Sequence, residues 1–386
     1  RFKINPMNRR HFLIGSGMLI TAASFQQTFA LTEQKEEKQR PDPDSFEDIC
    51  LKAIAWGLHA PNPHNTQAWK FQILSENEFL FFADESRLLT ATDPPARQIH
   101  IGCGCFLECM KEGMRSSGYE SQIELFPEGR YAFKDIGKKA IARVRFQAQE
   151  NLAAPLAPFI KTRSSSRLFF EEDKLSPAEI EELLSHRQGV ENELNLISQS
   201  EELEKLLPIL YEGMEVETFT HRTHDESRKW FRQNDQIIAE KRDGINLPGN
   251  GTKGILKWLA ERQLKDLDEK TWHNEKANQM FLKKHKEKVL STKNLLLITS
   301  PENDPLNWIE SGRDYLRLSL AAYAKGYYFH PLSQVLQEFE EMNPLREKFE
   351  EDMKVDKPAK IQMAVRVGKS KAPYLSYRRF PKDLVL

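Results

Sequence analysis

Two stretches of this chain, residues 46–147 and 176–367, carry the same order of patterns: helix, strand, long helix, strand. They share no obvious residue identity, so what repeats is an architecture. In the first stretch, Ser45 precedes Phe46-Glu47-Asp48, an N-cap with an acidic first turn. Apolar residues then recur at helical spacing, and the helix should end before Pro61. WKFQIL (69–74) and FLFFA (79–83) read as two strands of a hairpin turning at 75–78. A long helix is expected over 97–117 and a strand over 140–147. In the second stretch, Ser176-Pro177-Ala178-Glu179 is a helix start with an N-cap, a first-turn proline and a glutamate three residues on. Strands are expected at 192–198, 294–299, 327–330 and 360–367, and an amphipathic helix over 306–325. Between them lie a charged helical segment (201–240), a loop with four glycines (243–254) and a further helical stretch (255–290). Strands mixed with helices throughout predict an α+β or α/β class.

The chain has 386 residues, 39% of them apolar, enough for a sizeable core. A net charge of −1 excludes a global field aimed at nucleic acid or an acidic membrane. The N-terminus reads as an address. Arg9-Arg10-His11-Phe12-Leu13 resembles the twin-arginine consensus; a mildly apolar stretch follows, then a small-residue cleavage site at Thr28-Phe29-Ala30. Residues 1–30 are thus expected to be a twin-arginine signal peptide and 31–45, polar with two prolines, a flexible linker. Export to the periplasm by the twin-arginine machinery is the expected fate, an uncleaved anchor the alternative. That route carries folded proteins and suits those that load a cofactor first.

Three stretches carry chemistry. Residues 60–71 (APNPHNTQAWKF) form a polar, amide-rich turn between a helix and a strand, with Asn65 and Gln67 each offering a donor and an acceptor. Arg163-Ser164-Ser165-Ser166-Arg167 places two guanidiniums around hydroxyls, a pattern able to hold a phosphate. The C-terminal Arg366-Val367-Gly368 and Arg378-Arg379-Phe380-Pro381 add further cations. Read alone, each is also compatible with turn chemistry or a solvated basic segment.

Together these motifs resemble the nitroreductase family. Asn65, Gln67, Trp69 and Phe71 match its N-x-Q-P-W-x-F motif, with Ala68 in place of the proline. The resemblance implies that Asn65 contacts the pyrimidine edge of FMN, that Gln67 and Trp69 hold the turn, and that Arg163, Ser165 and Arg167 bind the phosphate and ribityl chain. It implies a further phosphate contact from Arg379, with Arg378 second. The order is inverted: N-T-Q-A-W precedes R-S-S-S-R by about 100 residues. That resembles the Acg-type branch, two tandem degenerate units sharing one FMN site. The expected fold is therefore α+β, fused tandem units with a mixed or antiparallel central sheet flanked by helices. The first unit is placed at 46–155 and the second at 156–386, with a helical, lid-like insertion at about 210–290. Trp308 to Gly326 and His330 to Gln334 resemble the family's long central helix and following turn, where Gly312 would permit close packing.

Other sites fail on spacing. Gly102-x-Gly104 lacks the third glycine of a dinucleotide fingerprint, and GNGTKG lacks the P-loop ending. His221 and His224 stand three apart without matching carboxylates or cysteines, so no metal is expected. Cys50, Cys103, Cys105 and Cys109 read as small buried apolar residues, with a metal, redox or disulfide role as the alternative. The expected function is an FMN-dependent oxidoreductase, taking electrons from NAD(P)H to a small nitroaromatic or quinone-like acceptor. The alternative is an exported FMN-holding protein with a lidded site. No residue is required as a protein acid or base, although His64 and His330 lie near the inferred site. A homodimer is the expected assembly, and no nucleic acid is expected as a partner.

Overall fold

The computed structural model describes residues 39–188 and 191–386; the expected signal peptide lies outside them. In chain order the elements are α1 (Ile49–Gly57), β1 (Trp69–Ser75), β2 (Glu78–Ala83), α2 (Arg97–Ser116), β3 (Tyr119–Leu125) and β4 (Ala142–Ala148). Then follow α3 (Pro177–Leu184), β5 (Glu193–Ile197), α4 (Ser200–Phe219), α5 (His221–Lys229), β6 (Phe231–Arg232), α6 (Asp235–Lys241) and β7 (Ile245–Asn246). The chain ends with α7 (Gly254–Gln263), the helical turn α8 (Glu269–Trp272), α9 (Glu275–Leu290), β8 (Asn294–Ser300), α10 (Pro305–Ala324), β9 (Tyr328–Pro331), α11 (Asn343–Asp352) and β10 (Lys360–Gly368). The class is α+β.

Two four-stranded sheets, antiparallel at every pairing, dominate. Their orders are β1-β2-β4-β3 and β5-β8-β10-β9. Counted within each sheet, both run first-second-fourth-third, and in both a long helix joins the second strand to the third. The first sheet buries one face: β4 alternates buried and exposed residues, with Arg143 and Arg145 in solvent. The second is covered on both faces, so β10 is buried at every position and β8 at all but one. One of its faces joins the main core; α4 and α11 lie over the other.

The long helices α2 and α10 cross at backbone contact. A Cβ on Gly104 would stand 2.0 Å from the carbonyl oxygen of Ile309, and one on Gly312 would stand 2.0 Å from that of Ile101. Each helix therefore presents a glycine to the other's main chain. Beside the crossing, Glu108 of α2 is 0% exposed and accepts from Arg313 and Arg317 of α10, both at 3.0 Å. Arg317 also donates to Glu112 at 2.7 Å. A buried carboxylate held by two guanidiniums fixes the register of the helices more than it adds stability.

Two regions depart from expectation. Residues 39–45, taken as the end of a flexible linker, are packed: Arg40 is 5% exposed, and Pro41 and Pro43 are buried. The C-terminal tail holds them, with Arg378 N donating to Gln39 O and Arg40 Nε donating to Ser376 O. That tail then crosses to the first sheet, where Leu386 N donates to Phe71 O and Leu384 enters the core. Strand β3 was not anticipated, because YESQIEL is an edge strand whose only fully buried residue is a serine. All four cysteines are buried and free, and burial pushes their thiols up, Cys50 and Cys109 to about 12. Among the described residues, no helix is long and apolar enough to cross a membrane.

The crossing yields a test. Gly→Ala in a helix interior ordinarily stabilises by about 1 kcal/mol. Here Gly312→Ala should instead cost about 1–3 kcal/mol, because the added methyl meets a main-chain oxygen that cannot move alone. The urea midpoint reads the sign directly, and a gain in stability would disprove the contact.

Candidate functional site

Among the described residues, the loop between α1 and β1 has the densest run of left-handed backbone outside glycine. His64 (φ 49°), Asn65 (φ 53°) and Gln67 (φ 48°) all adopt left-handed backbone without being glycine, at a cost of about 1 kcal/mol or more each. The loop is held from three sides. Asn62 Oδ1 accepts from Gln67 N at 2.8 Å. Gln67, 0% exposed, donates through Nε2 to Arg242 O and accepts through Oε1 from Arg379 N. Gly244 N donates to Asn65 O, so the 243–254 loop abuts this turn. Trp69 closes it, its ring 4.9 Å from that of Phe106 on α2.

Against this loop lies a small cleft of about 80 Å³ lined by Arg40, Arg163, Arg167, Arg378, Asn65 and Tyr374, among others. Arg40, Arg163 and Arg378 are 5%, 2% and 3% exposed. Their guanidiniums meet neutral acceptors: Arg40 the carbonyls of Ser376 and Arg163, Arg163 that of His59, Arg378 those of Leu58 and Ala60 and the side chains of Asn65 and Ser376. Among the described residues none of the three pairs with a carboxylate. Arg163 Nη1 is buried and meets no partner. Burial, then the neighbouring Arg163, pulls Arg378 down to about 9, and burial with Arg378 and Arg163 pulls Arg40 well below its ordinary value. A guanidinium stays protonated in practice, so this pull expresses a demand for a counter-charge. Three buried cations with only neutral partners are an arrangement that an anion would stabilise.

The cleft opens beside a cavity of about 500 Å³, with Pro61, Asn62, Ser165, Arg167, Ile245 and Asn250 on the wall of both. Its floor comes from the helix crossing: Ile101, Gly102 and Cys105 of α2 and Tyr315 of α10. Its roof is built from residues 214–281, including Met214, Phe231, Leu264, Trp272 and Phe281. His64 is tied to this roof, its Nε2 3.1 Å from Ser227 Oγ. The site is thus a charged end joined to a larger, mainly apolar chamber.

The residues singled out in the sequence separate into two groups. Asn65, Arg163, Ser165, Arg167 and Arg378 line the cleft. Gln67 and Arg379 line neither space. Gln67 has its amide committed to the turn, and Arg379 turns to the carbonyls of Gln67 and Asp383. The expected preference for Arg379 over Arg378 is therefore reversed, because successive side chains of the extended tail point to opposite sides. Asn65 spends its amide on Tyr377 O and Arg378, and so sits at the charged end, not in the large chamber. Arg40 was missed altogether. Its local signal, a lone arginine before Pro-Asp-Pro, is that of a solvated linker.

No family model matches the chain. Over 87 residues, 22% of this chain and 26% of the relative, it is 32% identical to acg, a putative NAD(P)H nitroreductase of Mycobacterium tuberculosis. A second putative NAD(P)H nitroreductase of that organism is 27% identical over 88 residues, 23% of this chain and 24% of the relative. The chain thus matches about a quarter of the length of these curated relatives. Among solved structures, it is similar to the FMN-dependent nitroreductase NfnB of Mycobacterium smegmatis in complex with NADPH, at 13% identity and a TM-score of 0.33, over 56% of this chain and 89% of that one. It is also similar to a nitroreductase with bound FMN from Bacteroides fragilis, at 11% identity and a TM-score of 0.32, over 59% and 95%.

The imidazoles around the site give a pH prediction. Burial, reinforced by nearby arginines, lowers His59 and His330 well below the ordinary value and His64 to about 4. An unfolded chain protonates its histidines near pH 6.5. Between about pH 6.5 and 4 these three rings therefore bind more protons in the unfolded state, and their contribution to stability falls as pH falls, outweighing the opposite contribution of the buried Asp93 and Glu217, which burial raises to about 7. Each histidine held neutral contributes a slope of about 1.4 kcal/mol per pH unit. Urea midpoints should drop steadily across this interval, and a flat profile would show that these rings are open to water.

Proposed function

We propose that this chain binds FMN and acts as an oxidoreductase of nitroreductase type, built from two fused units that share one site. The observation that carries the reading is the set of three buried guanidiniums without a carboxylate, one with an unpartnered Nη1, beside a chamber of about 500 Å³. The similarity to putative NAD(P)H nitroreductases supports it. Arg40, Arg163 and Arg378 would hold the phosphate; Ser165 and Arg167, on the wall of both spaces, would hold the linking chain. Asn62, His64 and Tyr315 would line the ring's place in the chamber. FMN, when bound, supplies the redox chemistry, passing electrons from a donor such as NAD(P)H to a nitroaromatic or quinone-like acceptor. This chain's residues would bind, orient and exclude water: Ile101 puts apolar surface on the chamber's floor and Phe231, Leu264 and Phe281 on its roof. No side chain is needed to move a proton. Twin-arginine export of the loaded protein to the periplasm belongs to the same proposal.

A second reading is favoured by the roof. Residues 214–281 contribute about half of the chamber's lining, so a ligand held there would be covered. A covered site suits retention of FMN with little turnover.

The purified chain, reconstituted with FMN, distinguishes the two. Anaerobic NADPH should bleach the flavin band and support steady reduction of a nitroaromatic. Bleaching by dithionite alone would favour retention. A colourless protein after reconstitution would refute both. Arg40→Ala and Arg163→Ala should each weaken FMN binding by about 10- to 100-fold, the worth of a charge-assisted bond to phosphate. Arg379→Ala, outside both spaces, should leave affinity within about twofold.

A further inference from the structure

The spacing of His221 and His224 offered no metal partner, but the fold supplies one. Helix α5 begins at His221, and the turn α8 with His273 at its end lies against it. His221 Nε2 is 3.0 Å from Glu269 Oε1. The rings of His221 and His273 stack with centroids 4.1 Å apart, and His273 Nδ1 is 3.3 Å from His224 Nδ1. The other nitrogen of His273, Nε2, is buried, has no hydrogen-bond partner and is 3.9 Å from Asp225 Oδ1. One donor atom from each of His221, Glu269 and His273 lies within 4.8 Å of the other two.

A surface ion pair accounts for His221 with Glu269. It does not account for His273 in contact with both His221 and His224, imidazoles that repel when protonated, nor for a buried ring nitrogen without a hydrogen-bond partner. Asp225 is already engaged by Arg228 and Lys229. We infer that His221, Glu269 and His273 form a binding site for a divalent transition metal ion of the zinc class, which ties α5 to α8. Two imidazoles and one carboxylate suit zinc, nickel or copper over magnesium or calcium. Metal–ligand bonds of about 2.0–2.1 Å place tetrahedral donors roughly 3.3 Å apart. The His221–Glu269 pair is already near that distance, and rotation of these two exposed side chains brings the set together. Solvent supplies the open position. His224 takes the supporting role, its Nδ1 facing His273 and its carbonyl accepting from Trp272 Nε1 at 2.9 Å.

The site's position gives it a consequence. His224, Thr271 and Trp272 line the large chamber, so an ion joining α5 to α8 fixes one wall of it. The inference stands independently of which molecule the chamber holds.

The test uses the chain without a polyhistidine tag, stripped with a chelator and titrated with Zn²⁺ by calorimetry, with Co²⁺ absorption as a second probe. One equivalent of Zn²⁺ should bind, and Co²⁺ should give a visible band that Zn²⁺ displaces. His221→Ala with His273→Ala should lower affinity at least 100-fold, and His224→Ala by about 10-fold as a supporting residue. Zn²⁺ should slow hydrogen exchange over residues 221–229 and 269–273 in the parent chain and not in the double variant. With Zn²⁺ absent, the double variant should melt within a few degrees of the parent, which separates lost ligation from lost folding. Absence of zinc uptake by the parent, or uptake unchanged by the double substitution, would overturn the inference.

Discussion

The contact on which the rest depends is the crossing of α2 and α10 at Gly104 and Gly312. Because each glycine lies 2.0 Å, measured from an imagined Cβ, from a carbonyl of the other helix, the backbones approach as closely as main chains can. The Glu108–Arg313–Arg317 network beside the crossing then sets rotation and register. The two sheets take their positions from these helices, since each sheet carries one of them between its second and third strands. The residues at the crossing also form the chamber floor. Ile101, whose carbonyl meets Gly312, and Tyr315, one turn beyond, both face the ligand space. A change that separated the helices would open that floor, so fold and site rest on the same contact.

The charged cleft shows the opposite economy. Arg40, Arg163 and Arg378 are buried with neutral acceptors and repel one another, which opposes folding. The adjacent loop adds three left-handed residues that are not glycine. Neither feature helps the core, and each is held by surrounding structure: the tail by its return to β1, the loop by Gln67 and Asn62. Local rules broken together at one place, with compensation nearby, are the pattern expected of a functional site.

Much of this was legible. The hairpin at 69–83 and both long helices follow from periodicity, and the strand at 294–300, buried on both faces, from its continuous apolar run. The polar turn at 60–67 and the R-S-S-S-R segment, far apart in sequence, meet on the wall of one cleft. What failed to show did so for physical reasons. Arg40 lies in a segment whose composition is that of a linker, and the partners that hold it, Ser376, Lys161 and Arg163, are at least 121 residues away. The choice between Arg378 and Arg379 turns on which side of an extended strand faces inward, and a doublet carries no such information. Gln67 has the chemistry of a ligand contact and is used instead to lock the turn. His221 finds its partners, Glu269 and His273, across a loop and two helices, beyond any spacing rule.

The cleft also explains why the two halves belong on one chain. Its walls come from residues 40, 61–65, 163–167, 244–250 and 374–378. The turn at 60–67 belongs with the first sheet, the segment at 163–167 runs beside the second, where Ser166 N donates to Phe329 O, and the tail begins after β10 and ends on β1. Neither sheet with its own helix contains the full set of guanidiniums. Arg378 reaches the first half because the tail crosses to it, and Arg40 is held both by that tail, at Ser376 O, and by the carbonyls of Lys161 and Arg163. An anion bound among them would therefore add to the hydrogen bonds and the Lys161–Asp42 and Lys161–Asp44 ion pairs that already join these segments, and its charge would offset the repulsion that their meeting creates.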